Sequence, residues 1–323
     1  MRGTGYQTVT VFAPATVANV ACGFDVLGFA LAQPGDELVA TRRAEPGVVI
    51  TAITGDGGRL PREATRNTAG VAARALLDAT GAREGVALDL HKGLPLSSGL
   101  GGSAASAVAA VVAVDAVLGL GAPTDVLLRC ALAGEQLASG STHPDNVAPA
   151  LLGGFVLARS ADPPDLVRLP VPEGLACAIV HPHLEVETAA ARRLLGDTVP
   201  LQAAIHQWAN LGALVAGLFQ SDLALIGRSL EDVVAEPKRA GLVPGFAAMK
   251  QAALEAGALG CSLSGSGPSL FALCATAAVA ARVAPAMAAA LARAAGVACD
   301  TWVSPVGPEG TRVTRASDAA CAT

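Results

Sequence analysis

From Pro95 to Ser106 the chain reads PLSSGLGGSAAS, a glycine-rich turn that passes without interruption into an alanine-rich run. Gly99, Gly101 and Gly102 allow positive φ and close approach of a ligand to the backbone, while Ala104, Ala105, Ala107, Ala109 and Ala110 favour helix just beyond. Backbone N–H groups that converge on the mouth of a helix form an anion cradle, and phosphate is its natural guest. A Walker A loop needs a lysine in the frame G-x-x-x-x-G-K-[ST]; the three lysines here, Lys92, Lys238 and Lys250, all lie outside one. Gly99, Gly101 and Ala104 also satisfy the dinucleotide pattern G-x-G-x-x-A. However, Pro95 and further loop residues intervene after the preceding strand, and Asp115 falls mid-helix rather than at the end of a second strand. A nicotinamide-dependent oxidoreductase is disfavoured on those flanks.

Other residues have types and spacings suited to binding. Thr188 and Arg192, four apart, share one helix face, and Arg239 is available to close a clamp on a carboxylate. Guanidinium groups grip carboxylates through paired charge-assisted hydrogen bonds, each worth roughly 1.5–3 kcal/mol. Asn19 and Asp25 flank Gly23 in a loop of small residues, where turn geometry alone would also select them. Glu135 sits in AGEQLASG on a helical pattern, a setting in which a lone glutamate ordinarily faces solvent. His143, Asp145 and Asn146 share HPDN, which reads as a loop. His181 and His183 form H-x-H on one strand face, but no third ligand lies near in sequence and zinc is not expected.

These residues must be held by a mixed α and β scaffold. Strands are expected over Thr8 to Ala13, ending at Pro14, and over Val26 to Ala32, Val48 to Thr54 and Val86 to Leu90. A helix from Thr68 to Ala79 is capped by Asn67, the glycine-loop helix ends near Gly119, and Pro123 and Thr124 open the helix that carries Glu135. GGFVLA reads as a strand. The proline- and charge-rich stretch from Asp162 to Pro172 places a boundary near residue 165, giving units 1–165 and 166–314. The second unit reads as a strand (Ala176 to His181), helices over Thr188 to Leu195, Gln202 to Phe219 and Phe246 to Ala256, and a strand, glycine turn and strand in LGCSLSGSGPSLFALC. A helix (Ala277 to Ala295) and a strand (Thr301 to Ser304) follow. The small polar tail, 315–323, is expected to be disordered.

Composition narrows the partners. At 323 residues two domains are expected, and 52% apolar against 15% charged residues excludes disorder as the main state. Scattered basic residues and a net charge of -5 argue against nucleic acid. Seven cysteines without a C-x-x-C pair argue against a disulfide framework or a zinc site. No export segment is expected at the N-terminus, and Asp115, Arg282, Pro285 and Arg293 interrupt the longest apolar runs, so no membrane partner is expected.

PATVANVACGFDVLGFAL, PLSSGLGGSAAS and SLSGSGPSLFAL, in this order, resemble the three motifs of the GHMP small-molecule kinases over almost the whole chain. EQLASGSTHPDNVAPALLGGF, TAAARRLL and EPKRAGLVPGF look most like the superfamily's homoserine kinase branch. The resemblance implies an α+β, two-domain GHMP kinase fold with a ferredoxin-like C-terminal domain, and a cytoplasmic, ATP- and Mg²⁺-dependent kinase of L-homoserine on the threonine pathway. It implies ATP contacts along Pro95, Leu96, Ser97, Ser98, Gly99, Leu100, Gly101, Gly102, Ser103 and Ala104, with Asn67 near the nucleotide. Ser103 and Glu135 would hold Mg²⁺. Gly102 stands where many relatives carry a second serine, so one hydroxyl is lost and the backbone donor kept.

The resemblance further makes Asn19, Asp25, His143, Asp145, Thr188, Arg192, Arg239 and Gly265 substrate contacts, with Asn19, Asp25, Asn146 and Arg192 closest to the chemistry. Asp25 would face an ammonium and the arginines a carboxylate. Asn146 stands near the place where some GHMP kinases carry an aspartate base. Ionising an alcohol of pKa near 15.7 beforehand at pH 7 would cost roughly 12 kcal/mol, so late proton loss in a loose transition state suits a site without that base. A mevalonate-type kinase and a catalytically silent ligand sensor are the alternatives, the latter disfavoured by the retained Ser103 and Glu135. Relatives are commonly homodimers, but no stripe in the sequence marks a contact.

Overall fold

The computed structural model describes residues 5–140, 144–307 and 309–318. β1 (Thr8–Ala18) and the long β2 (Leu27–Arg43) are antiparallel neighbours whose register shifts between Pro14 and Thr16. β1 therefore runs through the proline expected to end it, at a point where the ladder is already irregular. β3 (Gly47–Thr54) reaches its parallel neighbour β4 (Gly85–His91) through the crossover helix α1 (Thr68–Thr80), which Asn67 caps by accepting the Ala69 N–H at 3.0 Å.

α2 (Gly102–Leu118) is buried at every residue from Ala104 to Val111. A helix apolar all round belongs in a core, and its alanines let it lie between β1 and β2 on one side and α1 and α3 (Thr124–Ser139) on the other. α4 (Pro144–Leu152) packs on β1, β2 and β5 (Phe155–Ala161). HPDN was expected as loop; Pro144, Asp145 and Asn146 instead form the first turn of α4, a position that tolerates proline because its missing N–H has no intrahelical partner there. β6 (Pro164–Leu169) pairs with β5 inside the stretch expected as the domain boundary, so the first sheet extends beyond residue 165.

The second unit contains β7 (Ala176–Pro182), α5 (Thr188–Arg193), α6 (Leu201–Gln220), α7 (Leu223–Ser229), α8 (Glu236–Arg239) and α9 (Phe246–Glu255). β8 (Gly260–Leu263), β9 (Leu270–Cys274), α10 (Ala277–Ala295) and β10 (Cys299–Pro305) follow. The sheet order β10-β7-β9-β8, antiparallel throughout and backed by α9 and α10, is the ferredoxin-like arrangement. Among the described residues α10 alone is long and apolar enough to cross a membrane; here Val283, Met287 and Leu291 are buried in the core against which β7, β9 and α9 also pack. The two sheets meet where Phe29, itself 4.8 Å from its neighbour Phe155 in the first sheet, stands 6.1 Å from Phe271 of the second between ring centroids.

After β10 the chain returns to the first sheet. β11 (Arg312–Ser317) pairs antiparallel with β1, contrary to the expectation of a structureless tail from residue 315. All six of its residues are exposed, so it is held by the backbone ladder and leaves no apolar alternation to read.

Candidate active site

The glycine loop is pinned between the two domains. The Thr16 N–H donates to the Leu100 carbonyl at 3.1 Å, the Ser269 N–H to Ser98 O at 3.2 Å, and the Ser264 hydroxyl to Gly99 O at 2.7 Å. Gly101 has φ 69° at the mouth of α2, and a Cβ there would lie 2.0 Å from Thr16 Oγ1; a Cβ on Gly99 would lie 2.5 Å from Ser264 O. Both positions therefore require glycine. Below the loop Lys92 forms a buried ion pair with Asp36 and donates to Gly102 O and Ser106 Oγ, each at 2.8 Å. Asp36 Oδ1 in turn accepts the Gly93 and Leu94 N–H groups at 2.9 and 3.0 Å.

A cavity of about 390 Å³ opens above this loop, and Pro95, Leu96, Ser97, Ser98, Gly99, Gly101, Gly102, Ser103 and Glu135 line it as a group. Three expected nucleotide residues do not. Leu100 and Ala104 are fully buried, so their side chains belong to the core. Asn67 spends its amide on the α1 cap and on the Pro61 carbonyl at 2.9 Å, and Thr68 lines the cavity in its place.

A second cavity of about 220 Å³ adjoins the first, sharing Asn146, Thr188, Gly265 and Ser266 with it. Asn19, Asp25, Asp145, Arg192 and Arg239 complete its expected lining, while His143 lies outside the described residues. Arg192 pairs with Asp25 at 2.5 Å. Arg192 and Arg239 both stand over the Phe24 ring, 5.1 and 5.3 Å from its centroid. Arg239 is buried and anchored by the Ala191 and Gly265 carbonyls at 3.3 Å, and burial holds its pKa below the usual arginine value although Asp25 pulls it back. Thr188 Oγ1 is 3.5 Å from Ser266 Oγ. Asn146 accepts the Thr16 hydroxyl at 2.8 Å.

The first loop is strained. Asn19, Val20 and Ala21 have φ of 68°, 43° and 58°, and Asp25 has 61°, a region that L residues with a Cβ seldom enter. Asn19 is the clamp that holds this shape: its Oδ1 accepts the Asp25 N–H at 3.0 Å and its Nδ2 donates to Gly265 O at 2.9 Å. From behind, the Gln207 amide on α6 donates to the Cys22 carbonyl at 3.1 Å.

Asp145 is buried, and its Oδ1 has no hydrogen-bond partner among the described residues. Burial first, then the charges of Asp25 and Glu135, push its carboxyl up to about 7. The pocket thus concentrates acidic groups that a cation would relieve. The buried Glu135 carboxylate and the Ser103 hydroxyl, both on the first cavity, are hard oxygen donors that fit Mg²⁺. Among the described residues no group of three or more His, Cys, Asp or Glu could hold a metal, so the remaining positions would fall to water and phosphate. In the H-x-H pair His181 meets Ser269 Oγ at 3.1 Å and His183 meets Asp300 at 3.1 Å.

Sequence reasoning missed several residues. Lys92 lies beneath the loop rather than within a Walker frame, and only tertiary structure brings Asp36 to it. Phe24 was passed over, although an aromatic immediately before Asp25 is a signal the sequence held. Ser266, also on the first cavity, was passed over although it lies within the third motif beside Gly265, and Arg59 stands in a stretch with no pattern to single it out.

Residues 67–154 match the family of GHMP kinases N terminal domains and 210–293 that of GHMP kinases C terminal domains. The chain is 51% identical over 318 residues to homoserine kinase of Chlorobium phaeobacteroides (strain BS1), covering 95% of this chain and 99% of that protein. Homoserine kinase of Xanthomonas campestris pv. campestris is 46% identical over 311 residues, covering 96% and 95%. The crystal structure of homoserine kinase from Cytophaga hutchinsonii superposes with a TM-score of 0.92 at 50% identity, covering 97% and 99% of the two chains. L. major mevalonate kinase, at 17% identity and a TM-score of 0.70 over 94% and 97%, shares the fold alone. With both halves of the superfamily matched and half of all residues shared with these relatives end to end, the chain belongs to the homoserine kinase family of the GHMP kinases.

Proposed function

We propose that this chain transfers the γ-phosphoryl group of ATP to the side-chain hydroxyl of L-homoserine, giving O-phospho-L-homoserine and ADP for threonine biosynthesis in the cytoplasm. The observation that carries this reading is the adjoining pair of cavities, one walled by backbone at a helix mouth and the other by three arginines (Arg192, Arg193 and Arg239) and two aspartates. A zwitterion alone matches the second. Opening the Arg192–Asp25 pair leaves a guanidinium and a carboxylate to satisfy, which an α-carboxylate and an α-ammonium do together and a sugar or mevalonate does not. Arg192 and Arg239 then hold the carboxylate, Asp25 and Asp145 the ammonium, and Asn19 keeps Asp25 in place.

Gly265, Ser266, Thr188 and Asn146, common to both cavities, lie where the hydroxyl would meet the phosphoryl group. Amides from Ser98 to Ser103 and the mouth of α2 stabilise the charge on the transferred group. Asn146 has no basic atom, so the hydroxyl proton leaves late, to a phosphoryl oxygen or water, and rate rests on alignment and electrostatics. Ser103 and Glu135 would hold Mg²⁺, which when bound neutralises phosphate charge and orients the leaving group.

An ADP-release assay over homoserine, serine, threonine, mevalonate and galactose tests this directly. Turnover of homoserine is expected to exceed that of every other alcohol. Turnover of mevalonate without homoserine overturns the substrate assignment, and magnesium-nucleotide binding with no turnover of any acceptor supports a ligand sensor instead.

A further inference from the structure

The second cavity is walled by a strained loop and a one-turn helix, both of which need support from outside. Asn19 to Asp25 runs through four positive-φ residues that carry a Cβ, and α8, which presents Arg239, is four residues long. One side chain reaches both segments. Gln207 is buried on the same face of α6 as the core residues Leu214 and Leu218. Its amide is fully bonded: Nε2 donates to the Cys22 carbonyl and to Asp232 Oδ1, both at 3.1 Å, and Oε1 accepts the Val233 N–H at 3.0 Å. Asp232, also buried, accepts in addition the Val234, Ala235 and Glu236 N–H groups at 2.8, 2.9 and 2.8 Å.

These bonds form an unbroken path between the two walls. At the loop end the Cys22–Gly23 peptide is gripped on both edges: Gln207 takes its carbonyl, while its N–H donates to Asn19 O at 2.8 Å and Asn19 Oδ1 holds the Asp25 N–H. At the other end Ala235 O accepts the Arg239 N–H at 3.0 Å. The gap bounded by Asn19, Ala21, Asp232 and Arg239 is about 10 Å³, room for one water at most, so no layer of solvent separates loop from helix. Asp232, with Asp25, also opposes the effect of burial on the Arg239 guanidinium. By contrast, the bonds that pin the glycine loop come from Thr16, Ser264, Ser269 and Lys92 and involve neither Gln207 nor Asp232. A leucine would fill position 207 without desolvating an amide; an amide and a carboxylate buried together are tolerated only when fully bonded, and what they add is fixed geometry. On the homoserine reading above, we propose that Gln207, acting through Asp232, is a positioning residue of the acceptor site that fixes the span from Asp25 to Arg239 over which the zwitterion is held.

Steady-state kinetics with homoserine, alongside calorimetric titration with magnesium-ATP, test this on the full chain with Gln207→Met, Asp232→Asn and the two combined. Gln207→Met keeps the bulk and deletes all three bonds; KM for homoserine should rise about tenfold, with kcat per nucleotide-binding site and the ATP Kd each held within about threefold. Asp232→Asn is isosteric, and its amide nitrogen cannot accept the N–H groups that a carboxylate oxygen accepts; it should raise the same KM about threefold, and it carries the test if Gln207→Met fails to fold. Because the two residues are links of one path, the combined variant should be little worse than Gln207→Met alone. A residue that only supports the fold would lower the number of nucleotide-binding sites and leave KM unchanged. That result, an equal loss of nucleotide affinity, or effects that multiply in the combined variant overturns the proposal. A wild type that turns over no homoserine overturns the homoserine reading and this inference with it, whereas wild-type turnover with a KM indifferent to both substitutions overturns this inference alone.

Discussion

The two cavities are made of different material. The phosphate side is backbone: a glycine turn and a helix mouth between Pro95 and Ala104, supported from below by Lys92 and Asp36. The substrate side is charge on side chains, brought by the first loop, α4, α5 and α8 from positions as far apart as Asn19 and Arg239. Amides serve any triphosphate and survive most substitution, whereas a set of charged side chains defines one acceptor. The division teaches where each property can be altered: nucleotide use through the support of the loop, acceptor choice through single side chains.

The largest expected effect tests that support. Lys92→Met leaves Asp36 buried and unpaired, and unfolding in urea should show a loss of about 3–5 kcal/mol, with most of it regained in a Lys92→Met, Asp36→Leu pair. A loss under about 1 kcal/mol would mean that the loop stands without the ion pair.

The second prediction sharpens the contrast through pH. A carboxyl held near 7 in the folded state stabilises the fold fully below its ordinary pKa, and that contribution disappears as pH rises towards 7. Relative to Asp145→Asn, the wild type without substrate should lose on the order of 3 kcal/mol between pH 4 and 7, and homoserine should restore part of it. Parallel melting curves across that range would refute the assignment. The smallest effect separates the cavities. Arg192→Ala should lower kcat/KM for homoserine by roughly 10–150-fold, the worth of one charge-assisted contact, and leave nucleotide affinity within about twofold. Equal losses on both sides would dissolve the distinction.

The backbone half of the site was legible because its residues are contiguous: PLSSGLGGSAAS predicts a turn and helix mouth by local conformational preference alone. The charged half was legible through resemblance, with Thr188 and Arg192 also tied by helical spacing. Less could be read where the decisive contact is distant in sequence. Asn19 lines the second cavity as expected, but its amide also holds Gly265 O, and that of Asn67 holds Pro61 O as well as the expected helix cap, contacts that only the fold shows. α4 hid behind Pro144, and β11 has no apolar face to announce it.

The pairing of β11 with β1 bears on how the chain is made. Residues from both extremities share one ladder, with the Gln7 N–H donating to Ser317 O at 2.9 Å, so the second domain is an insertion between two strands of the first. On the ribosome β1 therefore waits for this partner until the whole second domain has been made.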